Sequence, residues 1–534
     1  MTVNNKAWSE SREYSGVQMD LSFQILEELR AGLSLRQAVH AHPLPEGGYI
    51  PKHVLVYAYR AQIETGEWEE DPGLLEKLRM KPVRTLSGVT TVTVLTKPYP
   101  CPGKCIFCPT DARMPKSYLP DEPGAMRALH HEFDPYEQTS ARVEALEAIG
   151  HPTDKIELLI LGGTWSAYQR DYQRWFLKRC LEALNGEASD SLEQAQDLNQ
   201  RAQHRNVGLV IETRPDHIDA KEIANLRALG VTKIQMGIQS LDDRILNLNH
   251  RGHTVAQARQ AMRWMRAAGF KIVLHWMPNL LGATLETDRE DFQRLWDDVD
   301  MRPDEIKIYP CLLLENAELY EYWQRGEYHP YTTEELFELI VDIKPLIPEY
   351  CRVNRIIRDI PSTNIVEGNK RTSLRQDVQR EMAKRGERCR CIRCREVRKE
   401  RFDPDQLALE DLEYSTGGTQ EHFLSFVTPD DHIAGFLRLS LPGVEASDTG
   451  LPELAGAALV REVHVYGQSL EVGTESEQAA QHSGLGMRLM DQAETLAQDK
   501  GYQCIAVIAA LGTRGYYEKL GYTLDGTYMV KTLR

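Results

Sequence analysis

The sequence has 534 residues, of which 42% are hydrophobic and 27% are charged. At about 100 to 200 residues per domain, this predicts three or four soluble globular domains and excludes a disordered or fibrous chain. The net charge of −16, taken alone, argues against a protein that binds nucleic acid, because phosphate groups attract basic surfaces.

No stretch reaches the roughly 18 consecutive apolar residues of a membrane span, and the first residues, MTVNNKAWSESREY, lack the apolar segment of a secretory signal. We therefore expect a cytoplasmic protein. Residues 1–80 are predicted to form a small helical region, because LSFQILEELRAG and HVLVYAYRAQIETG repeat apolar residues with helical periodicity.

Residues 81–360 alternate short apolar runs with helical patterns. The runs are TVTVLT, ELLILGG, VGLVIET, KIQMGIQS, KIVLHWMP and EIKIYPC. Strands that are apolar throughout and separated by helices pair in parallel, with both faces of the sheet covered. The six units therefore predict an α/β fold built on a partial (β/α)6 barrel.

Three cysteines follow the first of these strands. The thiolates of Cys101, Cys105 and Cys108 can hold three irons of a [4Fe–4S] cluster and leave the fourth iron open, whereas an electron-transfer cluster normally has protein ligands on all four. The open iron would bind S-adenosylmethionine (SAM) through its amino and carboxylate groups, and electron transfer would then yield a 5′-deoxyadenosyl radical. The alternative, a structural zinc site, needs a fourth nearby ligand, and the sequence offers no obvious one.

Polar residues and glycines end the next three strands. Barrels of this type carry their chemistry at the carboxyl ends of the strands, so we expect these residues to bind SAM. They are Gly162, Gly163 and Thr164 on the second strand end, Glu212 and Arg214 on the third, and Gln235 on the fourth.

A second cysteine group lies in residues 361–404, which are predicted to be a linker between domains. Cys389, Cys391 and Cys394 suit a structural Zn²⁺ that fixes a loop. We expect Cys311 as the fourth ligand, in preference to Cys351, because the end of a strand is a rigid donor.

The residues around both cysteine groups are basic. Between residues 380 and 401, ten Lys or Arg stand against four Glu, and residues 81–127 hold seven basic and three acidic side chains. Residues 405–534 hold 19 acidic and 8 basic side chains, so most of the negative charge lies at the C-terminus. A solvated face is the commoner role of a charge run, but this distribution predicts a basic surface for a folded RNA.

Residues 405–534 are predicted to form an α+β domain that binds acyl-CoA. The strand REVHVYG would offer its edge to the pantetheine amides. After an acidic loop, SGLGM would open a helix whose free N–H groups bind the pyrophosphate. A tyrosine on the helix TRGYYEKLG would protonate the departing CoA thiolate. The candidate residues are Glu462, Val463, His464, Val465, Gly484, Leu485, Gly486, Met487 and Tyr517. The alternatives are a helix cap for the glycines and core packing for the tyrosine.

The combined pattern closely resembles the Elp3 family, the catalytic subunits of Elongator, in its single-chain prokaryotic form. The resemblance covers residues 15–534 and is carried by CPGKCIFCP, YLPDEPGAMRALHHEFDPYEQ, LGGTW, ETRPD, QMGIQS, HWMPNL, KIYPC, RDIP, REVHVYG, SGLGM and TRGYYEKLGY. It implies a radical SAM barrel fused to a GNAT-type acetyltransferase domain. It also implies that Lys155 binds acetyl-CoA and takes part in catalysis, although a lysine that merely flanks a strand is the alternative.

The resemblance implies a tRNA carboxymethyl synthase that acts on uridine 34, the wobble base. The deoxyadenosyl radical would take a hydrogen from the acetyl methyl group, the carbon radical would add to C5 of the flipped uridine, and hydrolysis of the thioester would leave 5-carboxymethyluridine. The implied partners are the tRNA anticodon loop, contacted also by the N-terminal region, acetyl-CoA and an electron donor, with no obligate protein complex. The alternatives are a protein lysine acetyltransferase and a non-catalytic tRNA-binding scaffold.

Overall fold

The structure, a computed structural model, describes residues 14–80, 85, 87–371, 373–398, 402–466 and 477–533. The acidic loop predicted before the glycine motif lies largely at 467–476, outside the described residues. In the part of the chain that is described, no helix is both long enough and apolar enough to cross a membrane.

Four helices form the N-terminal region and confirm the helical periodicity predicted there. Ser15 and Ser34 each begin a helix with a capping box, in which the serine hydroxyl accepts a hydrogen bond from the backbone N–H three residues later. Ile25, Leu26 and Leu55 are buried in a small core between the helices. The helices are α1 (Gly16–Arg30), α2 (Leu35–Ala41), α3 (Lys52–Glu64) and α4 (Pro72–Leu78).

Seven parallel strands form one sheet in chain order. They are β1 (Thr90–Leu95), β2 (Lys155–Leu161), β3 (Arg205–Thr213), β4 (Lys233–Gln239), β5 (Lys271–Trp276), β6 (Glu305–Ile308) and β7 (Arg352–Arg355). The helices between them are α5 (Pro123–His130), α6 (Pro135–Glu147), α7 (Arg170–Asn185), α8 (Leu192–Asn199), α9 (Ala220–Ala228), α10 (Asp243–Leu248), α11 (Val255–Ala267), α12 (Leu285–Asp297), α13 (Leu319–Gln324) and α14 (Thr333–Ile343). The six predicted runs are β1 to β6, which confirms the partial barrel.

Two short helices, α15 (Leu374–Lys384) and α16 (Ile392–Arg395), lead from the barrel to a second, mixed sheet. Its strands are β8 (Ala408–Thr416), β9 (Thr419–Val427), β10 (Ile433–Pro442), β11 (Ala457–Val465), β12 (Cys504–Val507), β13 (Thr523–Asp525) and β14 (Tyr528–Thr532), and its helices are α17 (Glu477–Asp499) and α18 (Arg514–Lys519). The strand order is β13-β14-β12-β11-β10-β9-β8, and only the β11–β12 pair is parallel. This confirms the α+β fold predicted for residues 405–534, and the predicted strand REVHVYG lies largely in β11.

A buried ionic cluster joins the two sheets. Asp304, immediately before β6, is fully buried and accepts hydrogen bonds from Arg266 of α11 at 2.9 Å and from Arg461 of β11 at 2.7 Å. Arg461 also donates to Glu421 of β9 at 2.6 Å, and Arg438 of β10 lies 3.5 Å from Asp304. Burial alone would raise the pKa of Asp304, but the surrounding guanidinium groups hold that pKa well below its usual range.

Replacement of Asp304 by Asn is expected to destabilise the whole chain, because it leaves buried guanidinium groups without their counter-charge. The expected loss is about 3–5 kcal/mol of unfolding free energy, measured by urea titration. Asp342→Asn is the matched control, since Asp342 and its partner Arg289 are both about two-fifths exposed, and it should change stability by about 1 kcal/mol or less. Equal losses in the two variants would contradict the role of Asp304.

Candidate functional site

One cavity of about 1740 Å³ lies between the barrel strands and the second sheet. Its wall includes the cysteine loop after β1 and the carboxyl ends of β2, β3 and β4. The same wall includes the last residues of β11 and the helix α18. The two regions that the sequence assigns to separate chemistries therefore face a common space.

The cysteine loop presents Cys101, Cys105 and Cys108 to this cavity. A hydrogen bond from Cys108 lowers the pKa of the Cys105 thiol to about 5, against the opposing effect of burial, and the nearby Arg251 and Arg214 lower it further. The guanidinium of Arg251 donates to the Cys105 sulfur at 3.5 Å. The loop thus places the Cys105 thiolate beside fixed positive charge.

Arg214 is held against this loop by two hydrogen bonds to Asp216, each 2.9 Å long. Its Nη1 atom is buried with no hydrogen-bond partner, and a Cβ on Gly103 would lie only 2.2 Å from it. A buried guanidinium nitrogen without a partner is costly unless an anionic group binds there. Three thiols beside such a nitrogen fit a [4Fe–4S] cluster and a cofactor that carries a carboxylate.

The structure brings the predicted SAM residues to the same region. Gly162 and Gly163 have φ angles of 137° and 93°, and a Cβ on Gly162 would lie 1.8 Å from the Thr96 hydroxyl, so this turn requires glycine. The hydroxyl of Thr164 lies 3.8 Å from the Cys101 sulfur. The cavity-lining members of the set are Gly163, Thr164, Glu212, Arg214 and Gln235.

Three further polar residues on this wall were not predicted from the sequence. His275 on β5 and Lys307 on β6 both contact the amide oxygen of Gln235, the former at 3.1 Å. Burial lowers the pKa of His275 well below its usual range, so the ring is neutral. Arg358, after β7, donates to Ser117 and Glu122. The sequence signal that could have identified His275 and Lys307 is a polar residue inside an apolar run, as in KIVLHWMP and EIKIYPC.

A chain of ion pairs crosses the barrel at the amino ends of its strands. Lys233 lies 2.6 Å from Glu157 and 3.5 Å from Glu305, and Lys271 lies 3.7 Å from Glu305. Lys271 also bonds directly to Glu462 of β11. Burial would raise the pKa of Glu462, but Lys271 and Arg438 lower it, so this carboxylate is ionised and committed to two cationic partners.

The edge of β11 is available where the acyl-CoA site was predicted. The ladder between β11 and β12 ends at the pair Val460–Val507, and the following residues, Glu462, Val463, His464 and Val465, line the cavity. Lys155, at the start of β2, lies on the same wall, and burial lowers its pKa. The structure thus brings the barrel lysine and the β11 edge to one chamber.

The glycine motif differs from its prediction. Helix α17 begins at Glu477, seven residues before Gly484, so the glycines lie inside the helix and the prediction that they open it is wrong. The helix includes residues 477–483, ahead of the glycines. Gly486 lines the cavity, whereas Leu485 is buried in the core and Met487 is exposed.

Tyr517, on α18, lies at the wall of the cavity and is largely buried. Its ring makes edge contacts with Tyr516 at 5.2 Å and Tyr522 at 5.9 Å between centroids. Burial raises the pKa of the phenol, which therefore keeps its proton at neutral pH. Such a group can donate a proton to a leaving thiolate.

The sulfur atoms of Cys389, Cys391 and Cys394 lie within 4.8 Å of one another and could hold a metal ion. The prediction of Cys311 as their fourth ligand is wrong. Cys311, whose backbone N–H donates to the Pro278 carbonyl, is buried in the apolar cluster that also contains Cys105 and lies outside the group of three cysteines. In the described part of the chain, no other Cys, His, Asp or Glu completes the group.

Most of the predicted basic segment is neutralised by carboxylates from elsewhere in the chain. Arg385 pairs with Glu338, Arg388 with Asp431, and Arg390 with Glu349. Arg395 is buried between Glu349 and Asp431. The basic residues of this part that line the cavity are Arg375, Arg393 and Arg398.

Family models match the barrel. One described as the Radical SAM superfamily matches residues 99–295, and one described as the Radical_SAM C-terminal domain matches residues 303–384. The chain is 44% identical to tRNA uridine(34) acetyltransferase of Methanocaldococcus infernus over 484 residues, covering 87% of this chain and 89% of that protein. It is 37% identical to Elongator complex protein 3 of Homo sapiens, covering 86% of this chain and 87% of that protein.

A solved structure extends the similarity to the fold. The archaeal Methanocaldococcus infernus Elp3 with an N-terminal deletion (1–46) matches with a TM-score of 0.72 and 40% sequence identity. The match covers 84% of this chain and 100% of that chain.

Cys389→Ser is expected to lower the zinc content of the purified protein, because it removes one of the three grouped thiols. Cys311→Ser is the matched control and should retain the metal. Elemental analysis of zinc, with iron measured separately, distinguishes the two variants. Unchanged zinc in Cys389→Ser, or an equal loss in Cys311→Ser, would contradict the assignment.

Proposed function

The chain belongs to the family that contains tRNA uridine(34) acetyltransferase and Elongator complex protein 3, and from that premise we propose that it converts uridine 34 of tRNA to 5-carboxymethyluridine with acetyl-CoA as the carbon source. The observation that carries this proposal is the common cavity between Cys101, Cys105 and Cys108 on one side and β11 with Tyr517 on the other. An enzyme that joins an acetyl carbon to a base by radical chemistry needs both groups in one enclosed space.

The cysteine loop is proposed to hold a [4Fe–4S] cluster, with SAM bound beside Gly163, Thr164 and Arg214. When bound, these cofactors would supply a 5′-deoxyadenosyl radical that removes a hydrogen from the acetyl methyl group. The carbon would then bond to C5 of uridine, and the base would release the C5 proton and return one electron to the oxidised cluster. Arg214, whose Nη1 has no hydrogen-bond partner among the described residues, would bind the SAM carboxylate.

The part of the cavity lined by β11, α17 and α18 is the acyl-CoA chamber, and it is proposed to hold acetyl-CoA. The backbone edge at 462–465 would bind the pantetheine arm, Lys155 would contact the acyl end, and Gly486 leaves space at the helix α17. Tyr517 would protonate the CoA thiolate when the thioester is hydrolysed. The pyrophosphate is proposed to bind the exposed side of α17 near Gly484 and Met487 and not its first turn, since Leu485 is buried in the core.

The protein lysine acetyltransferase is the weaker candidate. Acetyl transfer to a lysine needs a base to deprotonate the ammonium, and Glu462, a carboxylate on the cavity wall at the β11 edge, is already bound by Lys271 and Arg438. The chamber also faces the barrel. Both features favour a reaction partner that arrives through the barrel cavity, as a flipped base would.

The remaining features complete the proposal. Arg375, Arg393 and Arg398 on the cavity wall would attract the anticodon phosphates. Cys389, Cys391 and Cys394 would hold a structural Zn²⁺. Residues 1–80 would add a tRNA contact, and residues 81–360, 361–404 and 405–534 would form the radical domain, the linker and the acetyltransferase domain. An electron donor is required, and the cytoplasm, where tRNA is found, is the proposed location.

Anaerobic incubation with tRNA, SAM, a reductant and acetyl-CoA labelled with ¹³C on both acetyl carbons is expected to yield doubly labelled 5-carboxymethyluridine, detected by mass spectrometry of the wobble nucleosides. The variant with Ala at Cys101, Cys105 and Cys108 should form none while it retains tRNA affinity. Label on protein lysines and none in tRNA would favour the acetyltransferase. Product formation by the Ala variant would exclude the radical reaction.

Tyr517→Phe is expected to slow tRNA-dependent hydrolysis of acetyl-CoA by roughly tenfold or more, because the leaving thiolate loses its proton donor. Tyr522→Phe is the matched control, since Tyr522 is a buried neighbour whose hydroxyl bonds to Glu494 at 2.8 Å. Thiol release measures both rates. Equal rates in wild type and Tyr517→Phe would contradict the proposed role.

A further inference from the structure

A series of aromatic rings runs from the protein surface to the cysteine loop. Trp175 and Tyr172 on α7 have ring centroids 5.6 Å apart, and Tyr172 stacks on Tyr168 at 5.1 Å. Tyr168 stacks in turn on Tyr99 at 4.7 Å. Tyr99 precedes Cys101 by two residues, so the series ends beside the first cysteine of the loop.

Hydrogen bonds fix the inner rings to the segment that leads from β1 to Cys101. The Tyr168 hydroxyl donates to the carbonyl of Lys97 at 2.8 Å, and the backbone N–H of Lys97 donates to the Tyr172 hydroxyl at 3.2 Å. The Lys97 ammonium also lies 4.9 Å from the centroid of the Tyr172 ring. These contacts make the ring series rigid, and they connect it to the loop by covalent and hydrogen bonds.

The outer ring is left in solvent. Trp175 is 44% exposed, although Phe176 beside it is fully buried. Core packing explains the inner rings but gives no reason for an exposed indole at the end of the series. Exposed aromatic side chains of this size are typical anchors of protein contacts.

The surface around Trp175 is basic. Arg170, Arg174 and Lys178 on α7 have side chains that are 49%, 43% and 27% exposed. Glu222 and Glu182, which pair with Arg170 and Lys178, are only 4% and 2% exposed. Glu193, the partner of Arg174, and Asp171 on the same helix as Arg174 are exposed. At Arg170 and Lys178, however, a partner meets cations whose counter-ions are buried, which favours an acidic protein.

We infer that the face around Trp175 docks an acidic one-electron carrier protein, and that the ring series conducts its electron to the cluster. This inference rests on the cluster in the proposed function and not on the acetyl chemistry. One electron leaves the reduced carrier and enters the oxidised cluster, and no bond forms or breaks. Electron tunnelling weakens steeply across empty gaps, so rings in contact provide a better path than loosely packed side chains.

The test measures reduction of the cluster itself. Holoenzyme with an oxidised cluster is mixed anaerobically with a reduced acidic flavoprotein of the flavodoxin type, and the change in cluster absorbance is followed by stopped flow. Trp175→Ala is expected to slow this reduction at least tenfold, whereas Trp175→Phe, which keeps an aromatic ring, should stay near wild type. Reduction by dithionite, which needs no docking face, should be the same in all three proteins.

Two controls separate docking from general effects. Val299→Ala removes a side chain that is 49% exposed elsewhere on the surface and should not change the rate. Arg174→Glu should slow reduction by the flavoprotein and flatten its dependence on salt, because a steering charge is reversed.

Three results would overturn the inference. These are a wild-type rate for Trp175→Ala with the flavoprotein, an equal slowing with dithionite, and a loss of tRNA affinity with unchanged reduction, which would make Trp175 a nucleic-acid contact. Because neither tRNA nor acetyl-CoA is present during reduction, normal reduction without modified tRNA would count against the proposed function alone.

Discussion

The rest of the structure depends on the ion pairs made by one fully buried carboxylate, that of Asp304. It lies where the barrel meets the second sheet and binds guanidinium groups from both sides, Arg266 from α11 and Arg461 from β11. Hydrophobic surfaces tolerate small sliding movements, whereas a desolvated charge pair is strongly destabilised by any displacement that leaves one charge unpaired. The cluster therefore fixes the second sheet against the barrel in one arrangement, and that arrangement places β11 and Tyr517 at the wall of the cavity that the cysteine loop also lines.

Charge inside the molecule is organised differently from charge in the sequence. Neither the net charge of −16 nor the count of basic residues in the run near residue 390 shows where positive charge is available on the folded protein. Glu349 and Asp431 neutralise much of the run, while Arg393 remains on the cavity wall. Around the cysteines, Arg251 donates to the Cys105 sulfur, and Arg214, although paired with Asp216, keeps its Nη1 unsatisfied among the described residues, which suits thiolates and anionic cofactors. A tRNA would thus meet local positive charge on a protein that is acidic overall.

Much of the fold and of the candidate site could be predicted from the sequence, because the sequence patterns that indicate them are local. Six apolar strands, the spacing of the first cysteines and the polar residues that end each strand all follow from the chain order of a parallel barrel. Strand β7 was missed because its RVNR sequence carries one apolar residue and is held mainly by pairing with β6. Cys311 was misplaced because it is buried in an apolar cluster of residues distant in sequence, which no spacing encodes. The ring series from Trp175 to Tyr99 likewise depends on tertiary packing between α7 and the segment after β1.

The claim that both sites of one chain act on the same uridine is tested most directly by mixing two variants. One variant is defective at the cysteine loop and the other at the part of the cavity proposed to hold acetyl-CoA. One carries Ala at Cys101, Cys105 and Cys108, and the other combines Lys155→Ala with Tyr517→Phe. Product is measured as modified wobble nucleoside after anaerobic incubation with tRNA, SAM, reductant and acetyl-CoA. If both chambers of one chain act on one uridine, the mixture forms no more product than the two variants assayed separately. Recovery of the wild-type rate by the mixture would show that the two half-reactions occur on separate molecules and would contradict a shared cavity.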